Sequence, residues 1–262
     1  MSRRLADLLE KVRLEYVQVM VDHGEGTPYL TAHQVCNTRL WLPGVELAAL
    51  IEDDPKLLSA RAGDLIDDDR ERSNPCVGAI VTSNIVAAAL EGLLAVAVNR
   101  NWLDVDSDGR VLVDAHELDS VPSVSGIDYT EAGDFVPERG RSHLSNIFHQ
   151  AENAYMERLE EGPHDAYQLA LMVASDHAVF TPDELAPLLV ENPLLLGLRG
   201  DDLLDEELFE GDPPAGMIIS AHLTEMLVQQ LLDRALEVGA IGHDGEGQPI
   251  LSETEEDNPT VH

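Results

Sequence analysis

The chain is predicted to be mainly α-helical with short β-hairpins, as a tandem duplication of one helical unit. Three observations predict this. At an offset of 138 residues, Leu42–Val113 lies on Phe180–Leu251 without a gap, and 19 of the 72 positions (113 − 42 + 1) are identical. The identities include Pro55/Pro193, Arg61/Arg199, Asp64/Asp202, Pro75/Pro213, Gly78/Gly216 and Gly109/Gly247, which a Leu-rich composition alone does not produce. Upstream, Leu5, Leu8, Leu9, Val12 and Tyr16 match Leu144, Ile147, Phe148, Ala151 and Tyr155, the spacing of an amphipathic helix in both copies. Finally, Thr, Ser, Pro and Gly punctuate both copies at corresponding places.

The elements follow in order. A first helix is expected over 3–21 and 142–160, and a short helical segment over 29–37 and 167–175. A third begins near Pro43 and Thr181-Pro182, where Thr181 is an N-cap with Glu184 three residues on, and it ends before Pro55 and Pro193. A fourth, short helix is expected at Asp64–Arg72 and Asp201–Glu210. A long helix over 82–100 and 220–238 takes Thr82 and Ser220 as caps. β-Hairpins turning at Asp108-Gly109 and Glu246-Gly247 close each unit. The expected domains are 1–114 and 143–252, joined by a Ser/Gly/Asp/Pro-rich linker, 115–142, and followed by an acidic tail, 253–262, expected to be disordered.

Charge bounds the partners. Fifty acids face 16 bases, giving −34, and only Lys11 and Lys56 are lysines. Such self-repulsion destabilises a compact state at low salt, whereas at molar salt the screening length falls to about 3 Å. The acid-rich, Lys-poor composition resembles that of proteins from salt-in halophiles, typically haloarchaea or their viruses. That resemblance implies high K⁺ or Na⁺ for stability, and a salt-rich cytoplasm or a virion as location. Arg3 and Arg4 are followed by Asp7 and Glu10 and not by an apolar stretch, so no signal peptide is expected. No unbroken run of about 18 apolar residues is present, so no membrane span is expected.

The stretch from Arg234 to Gly247 looks like the last helix of a winged helix running into its wing, and Phe180–Leu189 looks like its second helix. The resemblance covers about half of each unit and departs where residues 193–217 replace a tight turn. It implies a winged-helix DNA-binding transcriptional regulator as the alternative function. Charge argues against nucleic acid: the would-be recognition helices carry one base each, Arg100 and Arg234, while affinity for DNA comes mainly from neutralising phosphates. The one basic cluster, Arg3, Arg4, Lys11 and Arg13, reads as solvated charge on the first helix.

Signals for chemistry are sparse. Asp104, Asp106 and Asp108 before Gly109 have the spacing of a Ca²⁺ loop, but position 12 is Ala115 and not Glu, so an acidic hairpin turn is the preferred reading. No zinc, P-loop, dinucleotide or nucleophile-elbow motif occurs. Cys36 and Cys76 align with Ala174 and Pro214, and Cys36 reads as a small core residue. The Arg61/Asp64 and Arg199/Asp202 pairs read as local salt bridges. No catalytic residue, cofactor or metal is assigned, and the chain is expected not to be an enzyme.

One helix is unusual. Ile85–Val98 is apolar nearly all round, broken by Glu91 and Gly92, whereas Leu223–Leu236 in the second copy is amphipathic. A helix apolar on every face requires cover on every face. Ile85, Val86, Ala89, Leu90, Leu93, Leu94, Val96 and Val98 are therefore interface candidates, with cover supplied from within the chain or by another subunit. The expected function is a non-enzymatic structural or assembly protein acting through protein–protein contacts, as a homo-oligomer or larger assembly. A virion component of a haloarchaeal virus is the setting that the composition brings to mind.

Overall fold

A computed structural model describes residues 2–23, 27–64, 75–113, 129, 142–161, 165–200 and 212–241. Its helices are α1 (Arg3–His23), α2 (Pro28–Leu40), α3 (Gly44–Asp53), α4 (Val77–Asn99), α5 (His143–Glu160), α6 (Ala166–Ala178), α7 (Pro182–Glu191) and α8 (Ala215–Glu237). Short 3₁₀ turns are η1 (Pro55–Ser59), η2 (Ala62–Asp64) and η3 (Pro193–Gly197). Helices α2 and α6, α3 and α7, η1 and η3, and α4 and α8 start and end at the same 138-residue offset (28 + 138 = 166; 44 + 138 = 182; 55 + 138 = 193; 77 + 138 = 215).

The fold is mainly helical, and several finer expectations need correction. Among the described residues there is no β-strand, so neither a hairpin of paired strands nor a winged-helix topology is shown. The turn at Gly109 (φ 79°) closes only an isolated bridge, Val105 with Val111. Val105 and Leu112 are exposed there, and Leu103, Val111 and Val113 are only half-buried. The second expected hairpin, the short helix after Asp64, its counterpart 201–210, and the tail lie outside the described residues, as does the linker apart from Tyr129 and Ser142.

Helices α4 and α8 begin five residues before the caps expected at Thr82 and Ser220. Backbone contacts fix the earlier start: Val77 N–H donates to Leu198 O (2.9 Å) and Ala215 N–H to Ala60 O (2.8 Å). Thr82 and Ser220 are buried inside their helices. Helix α2 runs to Leu40 and α6 to Ala178, three residues beyond the expected ends, because the apolar stripe continues through Leu40 and Ala178.

The chain forms two compact units. The first holds Met1–Phe135 and Thr181–Ile219; the second holds Val136–Phe180 and Ser220–His262. In the first unit α2 packs on α1 and α4, and α3 packs on α7. Leu47, Ala48, Leu50 and Ile51 of α3 and Leu185, Ala186, Leu188 and Leu189 of α7 are at most 2% exposed, so this seam is fully buried core. The seam is reciprocal. α3 touches η3 while α7 touches η1. The isolated bridges Arg61–Pro214 and Cys76–Arg199 exchange under the same offset (61 + 138 = 199; 76 + 138 = 214).

In the second unit α5 packs on α6, and Arg234 of α8 pairs with Glu152 of α5 at 3.2 Å. Tyr155 is fully buried and donates to Ala166 O (3.0 Å), as Tyr16 in the first unit donates to Pro28 O (3.1 Å). Each tyrosine thus ties a first helix to the start of a second. At the start of α7, the Glu184 carboxylate accepts the Thr181 N–H (2.8 Å) and hydroxyl (2.7 Å), the expected N-terminal box, and these bonds hold the carboxyl below its ordinary range.

Candidate functional site

The outer face of α4 is the most prominent candidate surface. The 23-residue helix buries one stripe at i, i+4 spacing, Ile85, Ala89, Leu93 and Ala97, continued from Ile80 and Val81. Three of the sequence-derived interface candidates, Ile85, Ala89 and Leu93, therefore belong to the core of the first unit and are not available to a partner. Val86, Leu90, Leu94, Val96 and Val98 are half-buried. Ala87, Ala88, Glu91, Gly92 and Ala95 are exposed, and a Cβ built on Gly92 meets nothing within 4 Å. Glu91 is the one charged residue within α4. The exposed small residues were missed as candidates because composition marks a helix as apolar without marking its outer side. The 81/85/89/93/97 register carried that signal.

Among the described residues α4 is also the one helix long and apolar enough to cross a membrane by length and composition. The unbroken-run criterion passed over it because Thr82, Ser83, Asn84 and Glu91 interrupt the run without making the average polar.

Tyr129 fills a notch beside the start of α4. It is 8% exposed, donates to Leu42 O (2.6 Å) and shares a 3.3 Å hydrogen bond with the Thr82 hydroxyl. Its ring would lie 2.8 Å from a Cβ at Gly78, so only glycine leaves room. Burial raises the Tyr129 pKa above the ordinary phenol range.

The contacts of the other sequence-derived residues are as follows. Asp106 Oδ1 accepts the N–H of Asp108 and of Arg110, both at 2.8 Å, so it caps the turn. Among the described residues no group of three His, Cys, Asp or Glu is placed to hold a metal ion. Arg61 reaches the Asp212 carbonyl (2.5 Å), and the Asp212 carboxylate accepts the Gly63 N–H (2.8 Å). The partner sought for Arg199, Asp202, lies outside the described residues. Cys36 is buried, and desolvation pushes its thiol up to about 12, which suits a core residue and not a nucleophile.

Of the basic cluster, Arg13 pairs with Glu10 (2.6 Å), and Arg4 donates to Ala49 O (2.9 Å) and pairs with Asp53 (3.3 Å). Arg3, Arg4 and Lys11 edge an open groove of about 630 Å³ between α1 and α3, with Asp7, Glu46 and Asp53 on the same rim, so its charge is balanced. On α2 and the residue that follows it, His33 Nε2, Asn37 Oδ1 and Trp41 Nε1 are buried at i, i+4, i+8 with no hydrogen-bond partner among the described residues. Burial lowers the His33 pKa. The second copy has Leu171, Ser175 and Val179 at these places.

Compared with known proteins, the chain matches no family model, no curated protein and no solved structure.

Proposed function

We propose that this is a non-enzymatic assembly protein that binds other protein subunits through the outer face of α4. One observation carries the reading: α4 is apolar nearly all round, yet only 33% of its most apolar 18-residue stretch is buried. The exposed side of α4, small and apolar apart from Glu91, is read as the contact surface. The stripe that α4 buries against the first unit favours a core helix with a spare face over a membrane-spanning one. The chain carries 50 acids, but α4 carries one charged residue, Glu91, so an acidic partner meets little charge there. The proposed medium is molar salt, with a haloarchaeal cytoplasm or virion as the setting.

The test is the mass of the full chain in molar KCl, by light scattering. Assembly predicts a mass above that of one 28.6 kDa chain. The double variant Ala87→Glu/Ala95→Asp, which copies Glu225 and Asp233 of α8, should lower that mass without changing the helical circular dichroism. A strict monomer, or a variant that assembles as before, would remove the reading. Salt supplies a further prediction. The melting temperature should rise steeply from 0.1 M to molar KCl as charge repulsion is screened, and a melt unchanged across that series would remove the halophilic setting.

A further inference from the structure

The first compact unit is discontinuous. The chain leaves it at Phe135 and returns at Thr181 to supply α7, η3 and the first turn of α8. The returning segment meets α3 and η1 across a seam whose pairings repeat under the 138-residue offset. The bridge Cys76–Arg199 repeats as Pro214–Arg61, and the bond from Val77 to Leu198 repeats as Ala215 to Ala60. Neither side stands without the other, because separation would expose Leu47, Leu50, Ile51, Leu185, Leu188 and Leu189, all at most 1% exposed.

We infer that this seam is exchangeable between copies: Thr181–Ile219 of one chain seats on residues 1–135 of a second chain, giving the same packing in trans. The partner is therefore a second copy of this chain. The seam is the same in either arrangement, so the balance rests on concentration alone. Because the segment belongs to the same chain as residues 1–135, the intramolecular arrangement competes at an effective concentration of at most about millimolar, and exchange is expected as protein concentration approaches that value. Mutual exchange closes a dimer, while onward exchange to a third copy extends an open assembly. The inference rests on the assembly reading for its biological sense, but it uses the seam and not the outer face of α4.

The bridge pairs provide the test. Each is flanked by a hydrogen bond between the neighbouring residues, which places the pair in the narrow position where opposite Cα atoms lie about 4.5 Å apart, within disulfide reach. Arg199→Cys puts a thiol opposite native Cys76. The variant is refolded from denaturant in molar KCl over a series from about 1 µM to about 1 mM, oxidised with diamide, and run on a non-reducing gel. Exchange predicts a crosslink within one chain at the dilute end and a covalent dimer that grows to tens of per cent at the concentrated end. Arg199→Cys with Cys76→Ala must give no such dimer. The pair Arg61→Cys/Pro214→Cys with Cys76→Ala reads the reciprocal bridge and decides the matter if the first pair fails to oxidise. Crosslinks confined to one chain at every concentration would overturn the exchange. If the native mass still exceeded a monomer, the α4 reading would survive that result. A covalent dimer that forms equally with Ala87→Glu/Ala95→Asp would show that the exchange does not use the outer face of α4.

Discussion

Helices α4 and α8 occupy equivalent places in the repeat and differ on the side that matters for partners. Their buried stripes match: Ile85, Ala89, Leu93 and Ala97 in α4, and Leu223, Leu227, Leu231 and Ala235 in α8. Their outer faces do not. Where α4 has Ala87, Ala88, Gly92 and Ala95, α8 has Glu225, Met226, Gln230 and Asp233. Both inner stripes are apolar and buried, while at these four positions α4 is small and exposed and α8 is larger and, apart from the exposed Asp233, half-buried. A second contrast lies beside them. The Ser220 hydroxyl reaches the backbone of Phe180 directly (3.4 Å), whereas at the equivalent Thr82 and Leu42 the Tyr129 hydroxyl stands between. Among the described residues, the α4 end accommodates an inserted side chain and the α8 end does not.

Four measurements break or sharpen this contrast. The largest effect is expected at the seam that the two halves share: Leu50→Ala and Leu188→Ala, at equivalent buried positions, should each cost about 2–5 kcal/mol. Thermal or denaturant melts should give similar losses, and a large loss at only one position would break the equivalence of the halves. At alkaline pH the burial of Tyr155, assisted by the Asp165 carboxylate, pushes its phenol up to about 12. The folded state then keeps a proton that the unfolded chain releases from about pH 10. Stability is present below pH 10 and should fall by up to about 1.4 kcal/mol per unit between pH 10 and 12. Tyr155→Phe should flatten that part of the pH profile.

Smaller effects separate the two helix starts. Gly78→Ala forces a methyl to within 3 Å of the Tyr129 ring, and a cost of about 1–3 kcal/mol is expected. Gly216→Ala meets Leu58 and Leu185 at 3.3–3.4 Å and should cost less, so equal losses in parallel melts would remove the special seat of Tyr129. The smallest effect is expected at Gly92, which has open space around it. Gly92→Ala should stabilise the chain by about 0.5–1 kcal/mol through helix propensity. Destabilisation there would mean that the outer face of α4 is already closely covered.

The sequence alone determined the helical class, the repeat offset, the Thr181–Glu184 box and the stop of α3 and α7 before Pro55 and Pro193. Each depends on residues close in the chain, or on a pattern compared with itself. The all-round apolar character of α4 was legible for the same reason. Only the tertiary structure decided which side of α4 is inside, because a helix apolar on every face has no polar side to turn toward water. It also decided where α4 and α8 begin. Their first turns are anchored by the carbonyls of Leu198 and Ala60, more than 100 residues away in sequence, and distant backbone bonds leave no local mark. The expected caps, Thr82 and Ser220, were drawn inside for the same reason. The first hairpin forms no paired strands among the described residues: its turn closes only the isolated bridge Val105–Val111, and Val105 and Leu112 on it are exposed. The reciprocal seam belongs to both accounts: the repeat required two like halves, and only the packing of α3 on α7 showed that they meet each other.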